Sequence, residues 1–408
     1  MKWLKETDIL HFLSQHNYDV RISKNARWID QKCTADVISI VSDCILQYYN
    51  EHKKTEFTTK DIWHNEYTVN NVQYIFKKPN LNETKAKHEY DKFFQQPMEM
   101  LSYSGVLTKT KRRNRNFYSI SNAEVLEYIS TSERNALAFL HFYIEKVLKD
   151  SQLYFAFEEF FKKQTKQAYI KLKQDFADFT IRHTKIKGRT ECHRVFTKVL
   201  NPLAYKNNKH GTERGHLSKD KITYDMLMYN RDNFRDIYTN KPKGLTRQEY
   251  AKQISYQPSK SYSKYMSQKA KRVIRIFNDN FRKGITEVAE PRHEKDKAIH
   301  IHHIFPENEF PGISAYYENL IALTPTQHLS YAHPNGDTSV IDVSYQHICL
   351  LAKSSVIQET IEDSTRHQIY EFKKFTHVLH VGLDDDRFNN IPDGDFDAVN
   401  NVINLVYS

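Results

Sequence analysis

Residues 300 to 333 read HIHHIFPENEFPGISAYYENLIALTPTQHLSYAH, and the fold expected for the chain depends on them. The run HIHHIF predicts a short β-strand. Because successive side chains of a strand point to opposite faces, His302 and His303 have different surroundings. One imidazole can hold a divalent cation while the other, near neutral at pH 7, accepts a proton from an attacking water. This division of roles is suited to hydrolysis of a phosphodiester.

The segment resembles the HNH, or ββα-metal, nuclease motif. In that family a first strand ends in a metal-binding Asp or His, followed by the base His, two further residues and often Pro. Residues His302 to Pro306 fit this pattern. A second strand then opens with Asn before apolar residues, and Asn319 occupies that place before the apolar run 320–323.

A predicted helix supplies the last element of the motif. It begins at Pro325, with Thr324 or Thr326 as its candidate N-cap, and it contains His328. The order, spacing and element types agree together, which makes the pattern more specific than a paired histidine alone. The competing interpretation is a set of histidines that only satisfy hydrogen bonds in a core or at the surface.

The resemblance implies a role for each of four residues. His302 and His328 are the expected ligands of Mg²⁺ or another divalent cation, and His303 is the expected general base. Asn319 is expected to hold the hairpin loop and His303 in register. No ATP is expected to be needed, since we find no phosphate-binding Gly loop or nucleotide-hydrolysis motif.

Two departures from the family pattern limit what is carried over. Many members hold the hairpin with two CxxC pairs around a zinc ion, so the isolated cysteines here predict no structural zinc. Some members use another His four residues after the helix ligand, where this chain has Ala332. His333 lies five residues after His328, a step of about 140° around an α-helix, so it is not expected on the ligand face unless Pro334 ends the helix early. We therefore keep His333 outside the expected ligand set, as a candidate phosphate contact.

Charge favours a polyanionic partner. The 408 residues have a formal net charge of +10 and a pI near 9.1, and residues 161–215 contain 14 Lys plus Arg against 4 Asp plus Glu. Residues 357–408 are acidic, with 10 acids against 4 bases. The sequence begins MKWLKETD, without the apolar core of a signal peptide, and no run has membrane-spanning length. A cytoplasmic location without a membrane partner is expected.

The first third predicts a second DNA-contacting unit. Apolar spacing predicts a helix over 36–49, a short helix capped by Thr58 or Thr59, and a helix over 88–104 that is kinked or broken at Pro97 and stopped by Gly105. Residues 106–107 and 117–120 then form an expected hairpin, and the whole resembles a winged-helix domain. Its flexible tip contains the expected DNA-binding residues Lys109, Lys111, Arg112, Arg113, Asn114 and Arg115.

That tip has the chemistry of a DNA contact. Arg presents a planar fork to guanine edges or phosphates, and Asn pairs with adenine. Five bases occur there without an acid. The alternative is a solubilising loop with no partner, and the sequence does not separate base contacts from phosphate contacts.

The rest of the chain is predicted to be mostly helical. Residues 122–150 and 152–179 have apolar residues at three- and four-residue steps, whereas 201–215 has the composition of a basic loop that follows a phosphate backbone. A helix from Ser261 should pack on the nuclease core. The expected fold class is a mainly helical α+β multidomain chain. Its expected parts are a winged-helix-like domain (1–121), a helical connector with a basic surface (122–215), an HNH domain (216–350) and an acidic C-terminal extension packing on the core (351–408).

The combination resembles an HNH-type type II restriction endonuclease, which hydrolyses double-stranded DNA at a short specific site. A palindromic site requires two active sites, so a chain with one motif is expected to act as a homodimer. Two alternatives stay open. One is a less specific HNH nuclease of a phage, mobile element or toxin system, and the other is a DNA-binding regulator whose HNH unit is inactive.

Overall fold

The chain forms two compact units, residues 2–257 and residues 258–408. The computed structural model describes residues 4–76, 78, 81, 82, 86–229, 260–290, 296–333, 341–363 and 369–408. It is mainly helical, with 62% helix, and its sheets are small antiparallel pairs of strands. The expected mainly helical α+β class is therefore confirmed at this level. Among the described helices, none combines the length and apolar character needed to cross a bilayer.

The first unit consists of helices interrupted by two β-hairpins. In chain order its elements are α1 (Glu6–Ser14), α2 (Val20–Ser23), α3 (Ala35–His52), α4 (Thr59–Trp63), α5 (Glu66–Ile75), α6 (Ala86–Tyr103), β1 (Leu107–Arg112), β2 (Arg115–Ile120), α7 (Ala123–Thr131), α8 (Glu133–Asp150), α9 (Tyr154–Lys163), α10 (Lys166–His183), α11 (Arg189–Lys206), β3 (His210–Glu213) and β4 (His216–Lys221).

The helices predicted in the first third are confirmed. The apolar face of α3 is buried, and Thr58 caps α4 by accepting a hydrogen bond from the Asp61 backbone N–H. Gly105 follows α6 with φ +84°, a conformation that favours glycine. The expected break at Pro97 does not occur, because α6 is assigned continuously through it. Tertiary packing of buried neighbours such as Phe93 and Met98 outweighs the lost backbone hydrogen bond.

The first hairpin is longer and tighter than predicted. Strand β1 extends to Arg112 and β2 begins at Arg115, so only Arg113 and Asn114 form the turn. Four of the basic residues therefore lie on paired strands, and Arg113 alone of the five lies in the turn. Phe57, just before α4, adds a bridge to the hairpin through two backbone hydrogen bonds with Tyr118, at 2.9 and 2.8 Å.

The predicted loop over 201–215 is wrong. Helix α11 continues through Asn201 and Pro202 to Lys206, and β3 and β4 form a second antiparallel hairpin. Asn201, a residue typical of helix ends, is used differently. Its side-chain amide accepts a hydrogen bond from the Thr212 N–H (2.8 Å) and donates one to the Thr212 carbonyl (3.0 Å). The pattern of neighbouring residues does not predict these hydrogen bonds, because they join residues 11 positions apart.

The second unit places a two-stranded hairpin among helices. Its elements are α12 (Lys260–Phe281), β5 (His300–His303), a 3₁₀ turn (Tyr317–Asn319), β6 (Leu320–Leu323), a π-helix (Gln327–Ala332), α13 (Val343–Glu362), α14 (Phe372–Leu383), a second 3₁₀ turn (Asp386–Asn390) and α15 (Phe396–Val406). Helix α12 packs against both strands. Its expected core residues Ala270, Val273 and Phe277 are buried, while Lys264 and Arg272 are exposed.

The C-terminal helices pack against the loop that joins β5 to β6. A Cβ atom on Gly382 of α14 would lie 2.5 Å from the Phe305 ring, so glycine is needed for this close approach. Gln346 of α13 donates a hydrogen bond to the Ile304 carbonyl at 2.7 Å. The expected boundary after residue 350 thus falls inside α13, and the one after residue 215 falls in the β3–β4 turn.

A buried ion pair anchors β6 to α13. Lys353 donates to a Glu287 carboxylate oxygen (3.0 Å) and to the Tyr370 hydroxyl (2.7 Å), and its side chain has no exposed surface. The other Glu287 oxygen accepts a hydrogen bond from the Ala322 N–H at 3.0 Å. Burial lowers the pKa of Lys353 while Glu287 opposes that change.

We predict that Lys353→Met strongly destabilises the second unit. Removing one partner leaves a buried, uncompensated carboxylate, which typically costs about 3–5 kcal/mol. The matched double variant Glu287→Gln/Lys353→Met should recover part of that loss, because no charge remains buried. Urea unfolding followed by circular dichroism, with deuterium exchange of the peptide containing β6, measures both effects. A single variant as stable as the unmodified chain would contradict the assigned role.

Candidate metal centre

The hairpin β5–β6 separates the two adjacent histidines as expected. The strands pair with His302 opposite Ile321 and His303 opposite Leu320, so the imidazoles project to opposite faces. Both side chains are buried, with 4% and 8% of their surface exposed. The sequence therefore located the two histidines on a strand and separated their surroundings.

Three imidazoles converge on one face of the hairpin. His302, His328 and His333 each offer a nitrogen, and these three atoms lie within 4.8 Å of one another. The ring centroids are 4.9 to 5.2 Å apart and the rings are close to perpendicular. We call these three residues the histidine triad. Three imidazoles around one point are a ligand set suited to a divalent transition metal ion with an open coordination position.

The presence of His333 in the triad corrects the sequence analysis. That analysis assumed α-helical geometry, in which a five-residue step turns the side chain away. Residues 327–332 instead form a π-helix, whose hydrogen bonds join residues five apart, and His333 follows directly as its C-cap. A five-residue step then returns close to the same face. A phosphate contact by His333 stays a prediction.

Gln327 fastens the start of the π-helix. Its side-chain oxygen accepts hydrogen bonds from the Thr286 hydroxyl (2.5 Å) and the Thr324 N–H (3.1 Å), and its amide nitrogen donates to the Val288 carbonyl (3.2 Å). Gln327 has no exposed surface. Position 328 is therefore held beside β5 by side-chain bonds as well as by its own backbone.

The surroundings of His302 and His328 favour their neutral forms. Burial, with the neighbouring imidazoles, lowers the pKa of His302 well below its usual range and lowers the pKa of His328 to about 4. Neutral imidazoles expose the lone pairs that a cation needs. The Nδ1 atom of His328 is buried and has no hydrogen-bond partner among the described residues. A buried, unpartnered nitrogen on a residue of the triad fits a metal ligand.

His300, which had no assigned role, lies beside the triad. Its ring stacks on the His328 ring, with centroids 4.7 Å apart and planes 11° from parallel. The sequence could have indicated this position, because residues two apart on a strand, such as His300 and His302, lie on the same face. The contact restricts the orientation of His328.

His303 is oriented on the other face of the hairpin. Its Nε2 atom lies 3.0 Å from the Ser314 carbonyl oxygen and 3.1 Å from the Ser267 hydroxyl. Because a carbonyl oxygen can only accept, Nε2 holds the proton and Nδ1 is the basic nitrogen. Burial, assisted by the positive charge of Lys271, lowers the pKa of His303 to about 4, so the imidazole is neutral at pH 7.

Asn319 closes the loop that contains Ser314. Its side chain accepts a hydrogen bond from the Phe305 N–H (2.8 Å) and donates to the carbonyls of Phe305 (3.0 Å) and Ile313 (3.3 Å). Asn319 has no exposed surface. These bonds agree with the expected loop-holding role, because the same loop presents the carbonyl that orients His303.

Helix α12 adds residues that the sequence analysis did not place at the site. The Ser267 hydroxyl donates to a Glu307 carboxylate oxygen at 3.0 Å, beside its contact with His303. Lys271 is half-buried, and its charge adds to the effect of burial in lowering the pKa of His302, His303 and His328. The sequence could have indicated that Ser267 and Lys271 share one face of the helix, because they lie four residues apart.

The basic residues of the β1–β2 hairpin divide into two groups. Lys109 pairs with the buried Glu99 carboxylate, and Arg112 pairs with Glu56 at 2.7 Å. The remaining expected DNA-binding cations have no acidic partner among the described residues and are exposed; they are Lys111, Arg113 and Arg115. Asn114 lies in the turn. Lys109 therefore has a structural role besides any contact with DNA.

Comparison with known proteins adds no family assignment. No protein-family model matches the chain, and no curated protein or solved structure matches it. The candidate site is accordingly described from its own geometry and chemistry.

We predict that His333→Ala lowers the affinity for Co²⁺ at least about 10-fold, since one of three imidazole ligands is lost. Titration with Co²⁺ in a metal-free buffer, followed by visible absorption, measures the affinity directly and requires no substrate. His377→Ala removes an exposed histidine of the same unit and is the matched control. Equal Co²⁺ affinity in His333→Ala and the control would remove His333 from the ligand set.

Proposed function

We propose that the protein is a metal-dependent endonuclease that hydrolyses phosphodiester bonds of double-stranded DNA. The principal support is that the histidine triad lies close to a separately oriented, neutral His303. These four histidines lie on β5, in the π-helix and at its C-cap. Each group corresponds to a role that metal-assisted hydrolysis requires. The arrangement has the order of a ββα-metal site.

His303 is the proposed general base. The Ser314 carbonyl fixes the proton on Nε2, which leaves Nδ1 to accept a proton from the attacking water. A neutral imidazole at pH 7 is competent for this step. Asn319 acts through the loop and is a positioning residue, since it contacts the backbone that presents Ser314.

His302, His328 and His333 are the proposed metal ligands. A bound divalent cation would stabilise the negative charge that develops on the phosphate and the leaving oxygen. Mg²⁺ prefers oxygen ligands, whereas imidazoles suit Zn²⁺, Ni²⁺ and similar ions. Of the expected cations, an ion other than Mg²⁺ is therefore favoured by this ligand set.

The β1–β2 hairpin is the proposed DNA-reading element. The element order resembles that of a winged-helix domain: helix α3, the strand bridge at Phe57, helices α4 to α6, and then the β1–β2 hairpin. Lys111, Arg113 and Arg115 stand exposed on that hairpin and are suited to phosphates or base edges. The presence of a DNA-reading element and a cleavage site in one chain favours cleavage at a short specific sequence. The proposed protein is accordingly a cytoplasmic type II restriction enzyme that acts as a homodimer.

We predict that His303→Ala reduces DNA cleavage by about 10²- to 10⁴-fold, the usual contribution of a general base. Affinity for Co²⁺ and for duplex DNA should be retained, because neither depends on Nδ1 of this residue. Digestion of plasmid DNA in the presence of Mg²⁺, Mn²⁺, Co²⁺ or Zn²⁺ measures the rate, and His377→Ala is the control.

Product ends distinguish the proposed function from its alternatives. Ends that share one sequence motif support site-specific restriction, whereas scattered ends indicate a less specific nuclease. Intact DNA with every metal, despite tight binding, would indicate a DNA-binding regulator with an inactive site. Cleavage by His303→Ala at the unmodified rate would refute the assigned base.

We predict that Lys111→Gln/Arg113→Gln/Arg115→Gln lowers the salt dependence of DNA binding. Each lost phosphate contact reduces the slope of log affinity against log salt by about 0.9, so three contacts account for about 2 to 3. Fluorescence anisotropy of a labelled duplex from 50 to 300 mM salt, without metal, measures this slope. Arg112→Gln, whose side chain already pairs with Glu56, is the control and should change the slope less. An unchanged slope in the triple variant would leave the hairpin as a solubilising element.

A further inference from the structure

The first unit contains its helix-and-hairpin arrangement twice. Helices α6 and α11 each have 18 residues, and each is followed after three residues by an antiparallel hairpin. Each helix contains a proline, Pro97 or Pro202, and continues past it. The two segments share no evident sequence repeat, so only the structure reveals the correspondence.

The turns of the two hairpins have the same length and a similar first residue. Each turn has two residues, and the first of them is an arginine in the left-handed region, Arg113 with φ 52° and Arg214 with φ 50°. Each hairpin is also fastened by a polar residue of the preceding helix. Glu99 accepts a hydrogen bond from the Tyr118 hydroxyl at 2.7 Å, and Asn201 pairs with the backbone of Thr212.

The β3–β4 hairpin is held firmly against its helices. A Cβ atom on Gly211 would lie 2.6 Å from the Asn201 side chain, so the strand lies directly on α11. The Tyr169 hydroxyl of α10 is hydrogen-bonded to the Thr212 hydroxyl at 2.7 Å, and Lys173 donates to the Gly215 carbonyl at 2.8 Å. The turn therefore projects from a fixed base.

The outward side of this hairpin is basic. Ser218 of β4 is buried, so its neighbours Lys219 and Lys221, which alternate with Asp220, project on the opposite face. Arg214 and both lysines are exposed, and none has an acidic partner within ion-pair distance in the described part of the chain.

Other basic residues of the same region are already neutralised. Lys163 pairs with Glu159, Lys171 with Asp175, Arg189 with Asp178 and Lys206 with Glu145. Four of the 14 basic residues in 161–215 are thus paired with acids of the protein. Unlike these four residues, the cations of the second hairpin remain available to an external anion.

We propose that the β3–β4 hairpin is a second DNA-binding wing, which contacts the phosphate backbone of duplex DNA through Arg214, Lys219 and Lys221. This inference rests on the proposed function, because it assigns a further surface for the same substrate. The short, rigid turn and the lysines suit charge contacts with phosphates, whereas the first hairpin offers several arginines for reading base edges.

The test compares neutralising variants of the full-length chain on a labelled duplex in EDTA. Arg214→Gln/Lys219→Gln/Lys221→Gln should weaken binding at least about 10-fold at 100 mM salt and lower the salt slope by about 2 to 3. A control that removes the same charge from three exposed lysines outside both hairpins, Lys54→Gln/Lys87→Gln/Lys373→Gln, should have a much smaller effect. Circular dichroism confirms that the variants are folded.

Combining the neutralised residues of both hairpins should lower the slope by the sum of the two separate reductions, as independent surfaces require. A second-hairpin variant that binds like the control overturns the proposed wing. If the unmodified chain still binds and cuts duplex DNA in that case, this inference fails alone. Failure of the unmodified chain to bind or cut duplex DNA with any metal would instead overturn the proposed function as well.

Discussion

The hydrogen bonds between the Asn319 side chain and the Phe305 backbone are the constraint on which the candidate site depends. The amide pairs with both the N–H and the carbonyl of Phe305, as a neighbouring strand would do. Because the groups are buried, losing the amide would leave backbone groups unsatisfied, at a typical cost of about 1–3 kcal/mol each. Two separate features follow from this bond. The Phe305 ring is held against Gly382, and the loop presents the Ser314 carbonyl to His303.

Among the described residues, three buried carboxamide side chains both donate to and accept from backbone groups. Asn319 does so in the β5–β6 loop, Asn201 does so for the second hairpin, and Gln327 does so at the start of the π-helix. In each case a buried amide offers a donor and an acceptor at fixed spacing, which suits an irregular segment that no strand or helix can satisfy. The shape of the loops therefore depends on a few amides and less on apolar packing.

Prediction from the sequence succeeded where a structure is determined by neighbours along the chain. The apolar face of α3, the Thr58 cap and the strand with His302 and His303 follow from local periodicity and capping chemistry. It failed where distant contacts decide. Asn201 lies within α11, and its side-chain amide forms hydrogen bonds with the backbone of Thr212. The spacing of neighbouring residues does not predict this pairing. Lys109 is exposed, but its pairing with the buried Glu99 carboxylate of α6 could not be predicted from local sequence.

The π-helix brings the type of backbone hydrogen bonding into the geometry of the proposed metal site. In an α-helix the five-residue step from His328 to His333 would turn the second ring about 140° away from the first. If an ion is held by both rings, as proposed, it would favour the wider turn, and ion occupancy and helix type would be linked in one equilibrium. Recognition of such sites from sequence must then allow ligands five residues apart, since a search restricted to α-helical intervals would pass over this pair.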